Sequence, residues 1–153
     1  AGHFYKDVYW PVHFRCTNSL TRPYAGEGEC MEALARAGIK RAVVTNKSQT
    51  AADALWKTLL APYGFSAVFG NREGIPVKPD PTSALLVLEQ LGVKPSEAAF
   101  VGDGDTDVQT AKNAGMRPVS VLWGYRTREE LIAAGAELFA EDYAQLTRIL
   151  LSM

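Results

Sequence analysis

Three carboxylates stand close together in the segment VGDGDTDVQTAKNAG. Asp103, Asp105 and Asp107 would repel one another unless a cation or a set of hydrogen-bond donors lay among them. A calcium loop of the helix–loop–helix type would need glycine at its sixth position and glutamate at its twelfth. Counted from Asp103, those positions hold Val108 and Ala114, so the sequence does not support a calcium loop.

Two other interpretations of the acidic segment remain open. Asp105 or Asp107 can cap the helix that follows, where the helix dipole favours negative charge. Capping does not account for Asp103, because this residue directly follows an apolar run and a glycine, where an unpaired carboxylate is costly. A carboxylate at a strand end, with a second one a helical turn later, is typical of a Mg²⁺ half-site that waters and a substrate phosphate complete.

The acidic segment lies within an alternation of short apolar runs and longer helical patterns. The apolar runs predict strands at residues 39–45, 66–69, 98–101, 118–122 and 137–140. Periodicity and capping residues predict helices capped by Ser48 or Thr50 and running to about 60, at 82–91, up to 114, at 129–134 and after 142.

This order of elements predicts an α/β fold: a Rossmann-like parallel sheet with helices on both faces. Parallel sheets of this kind bind ligands at the carboxyl ends of their strands. Thr45, Asn46 and Asp103 all fall at or just past the end of a predicted strand. We therefore expect these three residues to lie at one edge of the sheet.

Three motifs together resemble those of a known family. VGDGDTDVQTAKNAG is similar to the last motif of the haloacid dehalogenase-like phosphatases, AVVTNKSQTA (residues 42–51) to their second motif, and VKPDP (residues 77–81) to their lysine motif. PYAGEGECMEALARAGIKRAVVTNK and LWGY (residues 122–125) resemble the phosphoglycolate phosphatase branch. The resemblance covers about residues 14–150 and implies a Mg²⁺-dependent phosphomonoester hydrolase that forms an aspartyl-phosphate.

The resemblance also implies roles for particular residues. Thr45 would donate its hydroxyl to the transferring phosphoryl group, with the Asn46 backbone amide beside it. Lys78 would place its ammonium against the phosphate and the attacking carboxylate. Asp103 would bind Mg²⁺ directly, and Asp107 would bind the metal or one of its waters. Taken singly, a strand-end threonine or an isolated lysine is more often a structural or surface residue.

One part of the family pattern is missing from this sequence. The attacking aspartate belongs to a D-x-D-G-T motif on the first, central strand, and the one aspartate before Thr45 is Asp7, which lacks that context. We therefore expect a haloacid dehalogenase-like core at residues 23–153, without its first central strand and most of its helical cap. Residues 1–22 would be the remnant of the cap and its linker.

Loss of a central strand predicts two unpaired strand edges and an open apolar slot between them. A missing N-terminal segment or a partner chain would then be needed to complete the sheet. The aromatic-rich N-terminal segment, which contains Phe4 and Trp10, is a further candidate for a substitute strand.

The overall composition limits the possible partners. With 153 residues and a net charge of −1, the chain fits one domain without a general attraction for nucleic acid or for an anionic membrane. Cys16 and Cys30 show no metal-ligand spacing, which favours reduced thiols and a cytoplasmic location. The expected partner is a small phosphorylated substrate. A non-catalytic phosphate- or metal-binding module that regulates a partner is the alternative function.

Overall fold

The structure of the chain, a computed structural model, describes residues 22–153. The expected cap remnant and linker lie outside the described residues, except for Arg22, and so does the aromatic segment that was considered as a substitute strand. No helix among the described residues is both long and apolar enough to cross a membrane.

Strands and helices alternate along the described residues. The strands are β1 (Ala42–Ser48), β2 (Ala67–Asn71), β3 (Ala99–Gly102), β4 (Arg117–Val121) and β5 (Phe139–Ala140). The α-helices are α1 (Glu27–Arg36), α2 (Gln49–Leu55), α3 (Thr82–Leu91), α4 (Asp105–Ala114), α5 (Arg128–Ala133) and α6 (Tyr143–Leu151). A π-helical segment, Trp56–Leu60, extends α2.

Local chemistry sets the ends of several helices. The Ser48 hydroxyl accepts a hydrogen bond from the Ala51 amide and caps α2, and Asp142 caps α6 in the same way through the Gln145 amide. Gly92 and Gly115 end α3 and α4 with φ values of 64° and 72°, in the left-handed region that glycine adopts at low cost. These signals were present in the sequence, and the predicted bounds of α3 match the observed ones.

The helices cover both faces of the strands, as predicted. On one face, Leu34 of α1 and Leu146 of α6 pack against Val119 and Val121 of β4. On the other face, Phe100 of β3 packs against α3 and α4. Alternate strand residues thus face opposite helical layers, as the pleat of a parallel strand requires.

The described strands form two separate parallel sheets, β1–β2 and β3–β4–β5. Val43 pairs with Val68 in the first sheet, and Val101 pairs with Val119 in the second. Within residues 22–153 the facing edges of β1 and β3 pair with no strand. The sheet is therefore interrupted between β1 and β3 in this part of the chain, which gives the two unpaired edges expected from the loss of a central strand.

A cavity of about 830 Å³ lies between the edges of β1 and β3, and we call it the slot. Its walls include apolar side chains of α1, α3 and α6, and Asp103 lies on its lining. Val101 is 39% exposed, although it lies inside β3. A packed protein interior leaves no void of this size, so within residues 22–153 the slot is an unfilled layer of the core.

The first strand differs from its predicted bounds. It spans Ala42–Ser48 rather than residues 39–45, and its pairing with β2 is irregular between Val44 and Ser48. Thr45 and Asn46 therefore lie in this irregular stretch rather than at a strand end. Two kinds of contact accompany this difference: the nearby Lys47 amide donates to the Thr45 hydroxyl, and the Asn46 side chain bonds to the sequence-distant loop around Lys78.

Candidate active site

Asp103 occupies the turn between β3 and α4. Its Oδ2 accepts a hydrogen bond of 3.1 Å from the Tyr125 amide, in the loop after the neighbouring strand β4. Gly124 makes this approach possible, since a Cβ there would lie 2.1 Å from the Asp103 Cβ. The Asp103 carboxylate is thus held against the backbone of the loop that follows β4.

Asp107 lies one turn into α4 and is 8% exposed. Its Oδ2 accepts a hydrogen bond of 3.0 Å from the Gly104 amide, so Asp107 is the acid that satisfies the start of α4. A Cβ on Gly102 would lie 2.4 Å from the Asp107 carboxyl group. The Asp107 carboxylate therefore lies over the backbone directly before Asp103.

Lys78 forms an ion pair with this carboxylate. Its Nζ lies 2.5 Å from Asp107 Oδ1, and the two side chains are only 13% and 11% exposed. Because both charges are largely withdrawn from water, removal of either one would leave the other buried and unpaired. The pair holds a positive charge next to the acidic turn.

Asn46, which lies on β1 of the two-stranded sheet, contacts the backbone of Lys78. Its Oδ1 accepts a hydrogen bond of 2.9 Å from the Lys78 amide, and its Nδ2 donates to the Lys78 carbonyl over 3.3 Å. The neighbouring Thr45 hydroxyl oxygen accepts from the Lys47 amide over 3.2 Å, which leaves the hydroxyl proton available for donation. These contacts link Asn46, Lys78 and Asp107, and Asp107 lies against the backbone directly before Asp103, whereas Thr45 is joined to the group only through its neighbour Asn46 in the chain.

Asp105 does not cap α4, because its carboxylate accepts a hydrogen bond of 3.1 Å from Arg126 Nε. Arg126 also pairs with Glu130 on α5, and all three side chains are about half exposed. The Tyr125 side chain is 98% exposed. These groups form a surface network in and around the loop after β4.

The loop between β2 and α3 carries Lys78, and we call it the lysine loop. Further hydrogen bonds hold it to α4 and to the start of α3. Asn113 Nδ2 donates to the Pro79 carbonyl over 3.0 Å, a contact that the sequence analysis missed. Two residues after Lys78, Asp80 Oδ1 accepts from the Thr82 amide over 2.9 Å. Hydrogen bonds from the Thr82 side chain and backbone lower the pKa of Asp80. The polar contacts of this loop thus come from β1, α3 and α4.

The acidic residues suit part of a Mg²⁺ site. Mg²⁺ is usually held by one or two carboxylates, with waters and a substrate phosphate completing the octahedron. Asp103 and Asp107 supply two carboxylates against one stretch of backbone. The described part of the chain holds no group of three or more His, Cys, Asp or Glu side chains that could bind a metal by itself. A third carboxylate, imidazole or thiolate ligand would have to come from outside residues 22–153.

The close approach of Gly124 to Asp103 leads to a stability prediction. We expect Gly124→Ala to lower the free energy of unfolding by about 2 kcal/mol, because the added Cβ has no room. Gly28→Ala is the control, since its Cβ would meet nothing nearer than 3.8 Å and α1 gains helix propensity. Urea denaturation measures both effects, and amide exchange at Tyr125 shows whether its bond to Asp103 opens. Equal stability of the two variants would contradict the close packing of Asp103.

A sequence profile of the haloacid dehalogenase-like hydrolases matches residues 2–115. The chain belongs to this family. Among its relatives, the phosphoglycolate phosphatase of Pseudomonas putida is 31% identical over 142 residues, which cover 93% of this chain and 50% of the relative. The phosphoglycolate phosphatase of Aquifex aeolicus is 37% identical over 121 residues, which cover 79% and 57%.

Solved structures of haloacid dehalogenase-like proteins match the fold. A crystal structure from Lactobacillus delbrueckii subsp. bulgaricus, provisionally named a phosphoglycolate phosphatase, has a TM-score of 0.89 at 30% identity and covers 94% of this chain and 60% of its own. CbbY from Rhodobacter sphaeroides, solved with xylulose-1,5-bisphosphate, has a TM-score of 0.68 at 30% identity and covers 80% and 55%.

These comparisons confirm the family and the phosphoglycolate phosphatase-like branch that the motifs indicated. They also show that this haloacid dehalogenase-like chain spans about half the length of the relatives that it matches. Those relatives therefore contain segments that have no counterpart in the 153 residues.

Proposed function

We propose that this haloacid dehalogenase-like protein is a Mg²⁺-dependent phosphomonoester hydrolase, of which the 153 residues form the larger part of the core. One observation carries the proposal. The Lys78 ammonium and the Asp107 carboxylate are 2.5 Å apart, Asn46 bonds to the Lys78 backbone, and Asp103 lies on the lining of an open slot. A cation and two acids so arranged, with one of the acids on the lining of the slot, suit the binding of a phosphoryl group beside it.

In the proposed reaction, an aspartate carboxylate attacks the phosphorus of the monoester, the bond from phosphorus to the ester oxygen breaks, and the second aspartate of the D-x-D-G-T motif would protonate the leaving alcohol. Water then cleaves the aspartyl-phosphate to inorganic phosphate and restores the carboxylate. Dividing the displacement into two steps lowers the barrier of each. The attacking aspartate is not one of the described residues, and we place it on a strand that fills the slot. A missing N-terminal segment or a partner chain would supply this strand.

The residues of this chain would act on the charge of the phosphoryl group. Lys78 would neutralise an equatorial oxygen, and Thr45 would donate its hydroxyl proton to a second oxygen, next to the Asn46 amide. Asp103 and Asp107 would hold Mg²⁺, which when bound offsets the negative charge that builds up in phosphoryl transfer. Positioning and charge neutralisation account for most of catalysis in such reactions.

The names of the relatives support a small phosphorylated substrate similar to phosphoglycolate. Nothing in the charge of the chain favours nucleic acid or an anionic membrane as a partner. Among the described residues Cys30 is a free, buried cysteine, and burial raises the pKa of its thiol and so lowers its reactivity, in keeping with the reduced thiols expected from the sequence. We therefore place the enzyme in the cytoplasm.

The test compares this chain with the longer product that includes the coding sequence upstream of it. We expect the upstream sequence to encode a D-x-D-G-T strand, and only the longer product to hydrolyse p-nitrophenyl phosphate and 2-phosphoglycolate with Mg²⁺. Removal of Mg²⁺ with EDTA should abolish the activity, and added Mg²⁺ should restore it. A longer product with a closed sheet but no D-x-D-G-T strand and no hydrolysis would instead support the non-catalytic phosphate- or metal-binding module.

A further inference from the structure

Asn113 contacts the lysine loop from a helix that also carries Asp107. Its Nδ2 donates to the Pro79 carbonyl over 3.0 Å, one residue after Lys78. Helix α4 therefore contacts the loop at two points, through the Asp107–Lys78 ion pair and through the Asn113 side chain. Asn46 on β1 forms hydrogen bonds to the same loop.

The loop has a physical need for such contacts. It runs between β2 and α3 without regular structure, so neither a helix nor a sheet ladder holds the backbone around Lys78 in place. Ordering such a segment costs conformational entropy for each residue that is fixed. Asparagine is also a poor helix former, so its place in α4 is not explained by helix propensity. The hydrogen bond from Asn113 to the Pro79 carbonyl, which lies outside α4, offers another explanation for this residue.

We propose that Asn113 is a positioning residue for Lys78. By fixing the Pro79 carbonyl against α4, it sets the distance from which the Lys78 side chain reaches Asp107. Asn46 binds the Lys78 backbone from β1, so hydrogen bonds from two different elements hold the backbone at Lys78 and Pro79, an arrangement that we call the clamp. The catalytic consequence rests on the proposed phosphatase function, whereas the clamp itself does not.

The first test uses the 153-residue chain and no substrate. Asn113→Ala removes the donor, and Asn113→Asp removes it with little change of shape. Gln109→Glu is the matched control, because Gln109 lies on the same helix and its side-chain amide donates to the Ala134 carbonyl over 3.0 Å, away from Lys78. The readout is the rate at which acetic anhydride modifies Lys78, measured by peptide mass spectrometry with Lys94 as the internal reference.

We expect both Asn113 variants to raise the modification rate of Lys78 by about three- to tenfold, which is the effect of losing one hydrogen bond. The Lys94 rate should not change, and Gln109→Glu should behave like the parent chain. An unchanged Lys78 rate in both variants would overturn the proposal. A parallel rise at the exposed Lys94 would also overturn it, because the effect would then not be confined to the loop that carries Lys78.

The second test asks whether Asn113 acts through Lys78. In the longer product, Asn113→Ala should lower kcat/KM for p-nitrophenyl phosphate by about three- to tenfold. In a Lys78→Ala background the same change should have no further effect, whereas additive losses would contradict action through Lys78. If Lys78 becomes more reactive but no product hydrolyses phosphate esters, the clamp stands and the proposed function fails.

Discussion

Replacing Asp103 with Asn is expected to abolish Mg²⁺-dependent hydrolysis by the longer product, with a loss of about a thousandfold or more. The amide has nearly the same shape, and its oxygen can still accept the bond from the Tyr125 amide. What it lacks is the negative charge that a hard cation requires. The free energy of unfolding should therefore change by less than about 1 kcal/mol, measured by urea denaturation beside the initial rates.

Asp105→Asn is the matched control for this experiment. It makes the same chemical change two residues away, where the carboxylate pairs with Arg126 and both side chains are about half exposed. Exposed ion pairs contribute little, so the rate should stay within about twofold of the parent enzyme. Titration calorimetry with Mg²⁺ adds a second readout. Hydrolysis that survives in Asp103→Asn with unchanged Mg²⁺ dependence would remove Asp103 from the metal site.

A strand in the slot is expected to raise the free energy of unfolding by several kcal/mol, on the order of 5. Pairing with β1 and β3 adds backbone hydrogen bonds of about 1 kcal/mol each, and each buried aliphatic side chain adds about 2 kcal/mol. Ordering the strand offsets part of this gain, at about 1–2 kcal/mol per residue. Urea denaturation of the longer product and of the 153-residue chain measures the difference.

Amide hydrogen exchange gives this prediction its control. Exchange at Val43 and Val101, which lie on the strands that border the slot, should slow by several orders of magnitude in the longer product. Val119 lies on β4, which already pairs with a strand on each side, and should change only as much as the global stability does. If Val43 and Val101 exchange equally fast in both products, no strand occupies the slot.

Much of the fold could be predicted because its signals are local. Apolar spacing and Gly92 define α3, and Gly115 ends α4, without help from the rest of the chain. Helix α1 escaped prediction because Gly26 precedes it in a left-handed conformation and no side chain caps it. The extent of β1 was wrong because it depends on contacts with the lysine loop, which is distant in sequence.

The candidate site likewise contains some residues that could be predicted from the sequence and others that could not. Asp103, Asp107 and Lys78 could be proposed because charged residues in a resemblance motif are conspicuous. The Tyr125 amide and Gly124 act through the backbone, and their residue types do not reveal a bond to a carboxylate. Asn113 lies 34 positions from the carbonyl that it binds, a separation that no local pattern encodes.

The separation of the two sheets has a consequence for the proposed phosphatase activity. Thr45 and Asn46 belong to one sheet, and Asp103 follows a strand of the other. Their spacing would be set by the width of one intervening strand, about 10 Å across two strand-to-strand steps. Catalysis in such an architecture would require a complete sheet. A molecule that lacks the intervening strand would carry Thr45, Lys78 and Asp103 and still be inactive. The measured turnover would therefore come only from molecules in which that strand is in place.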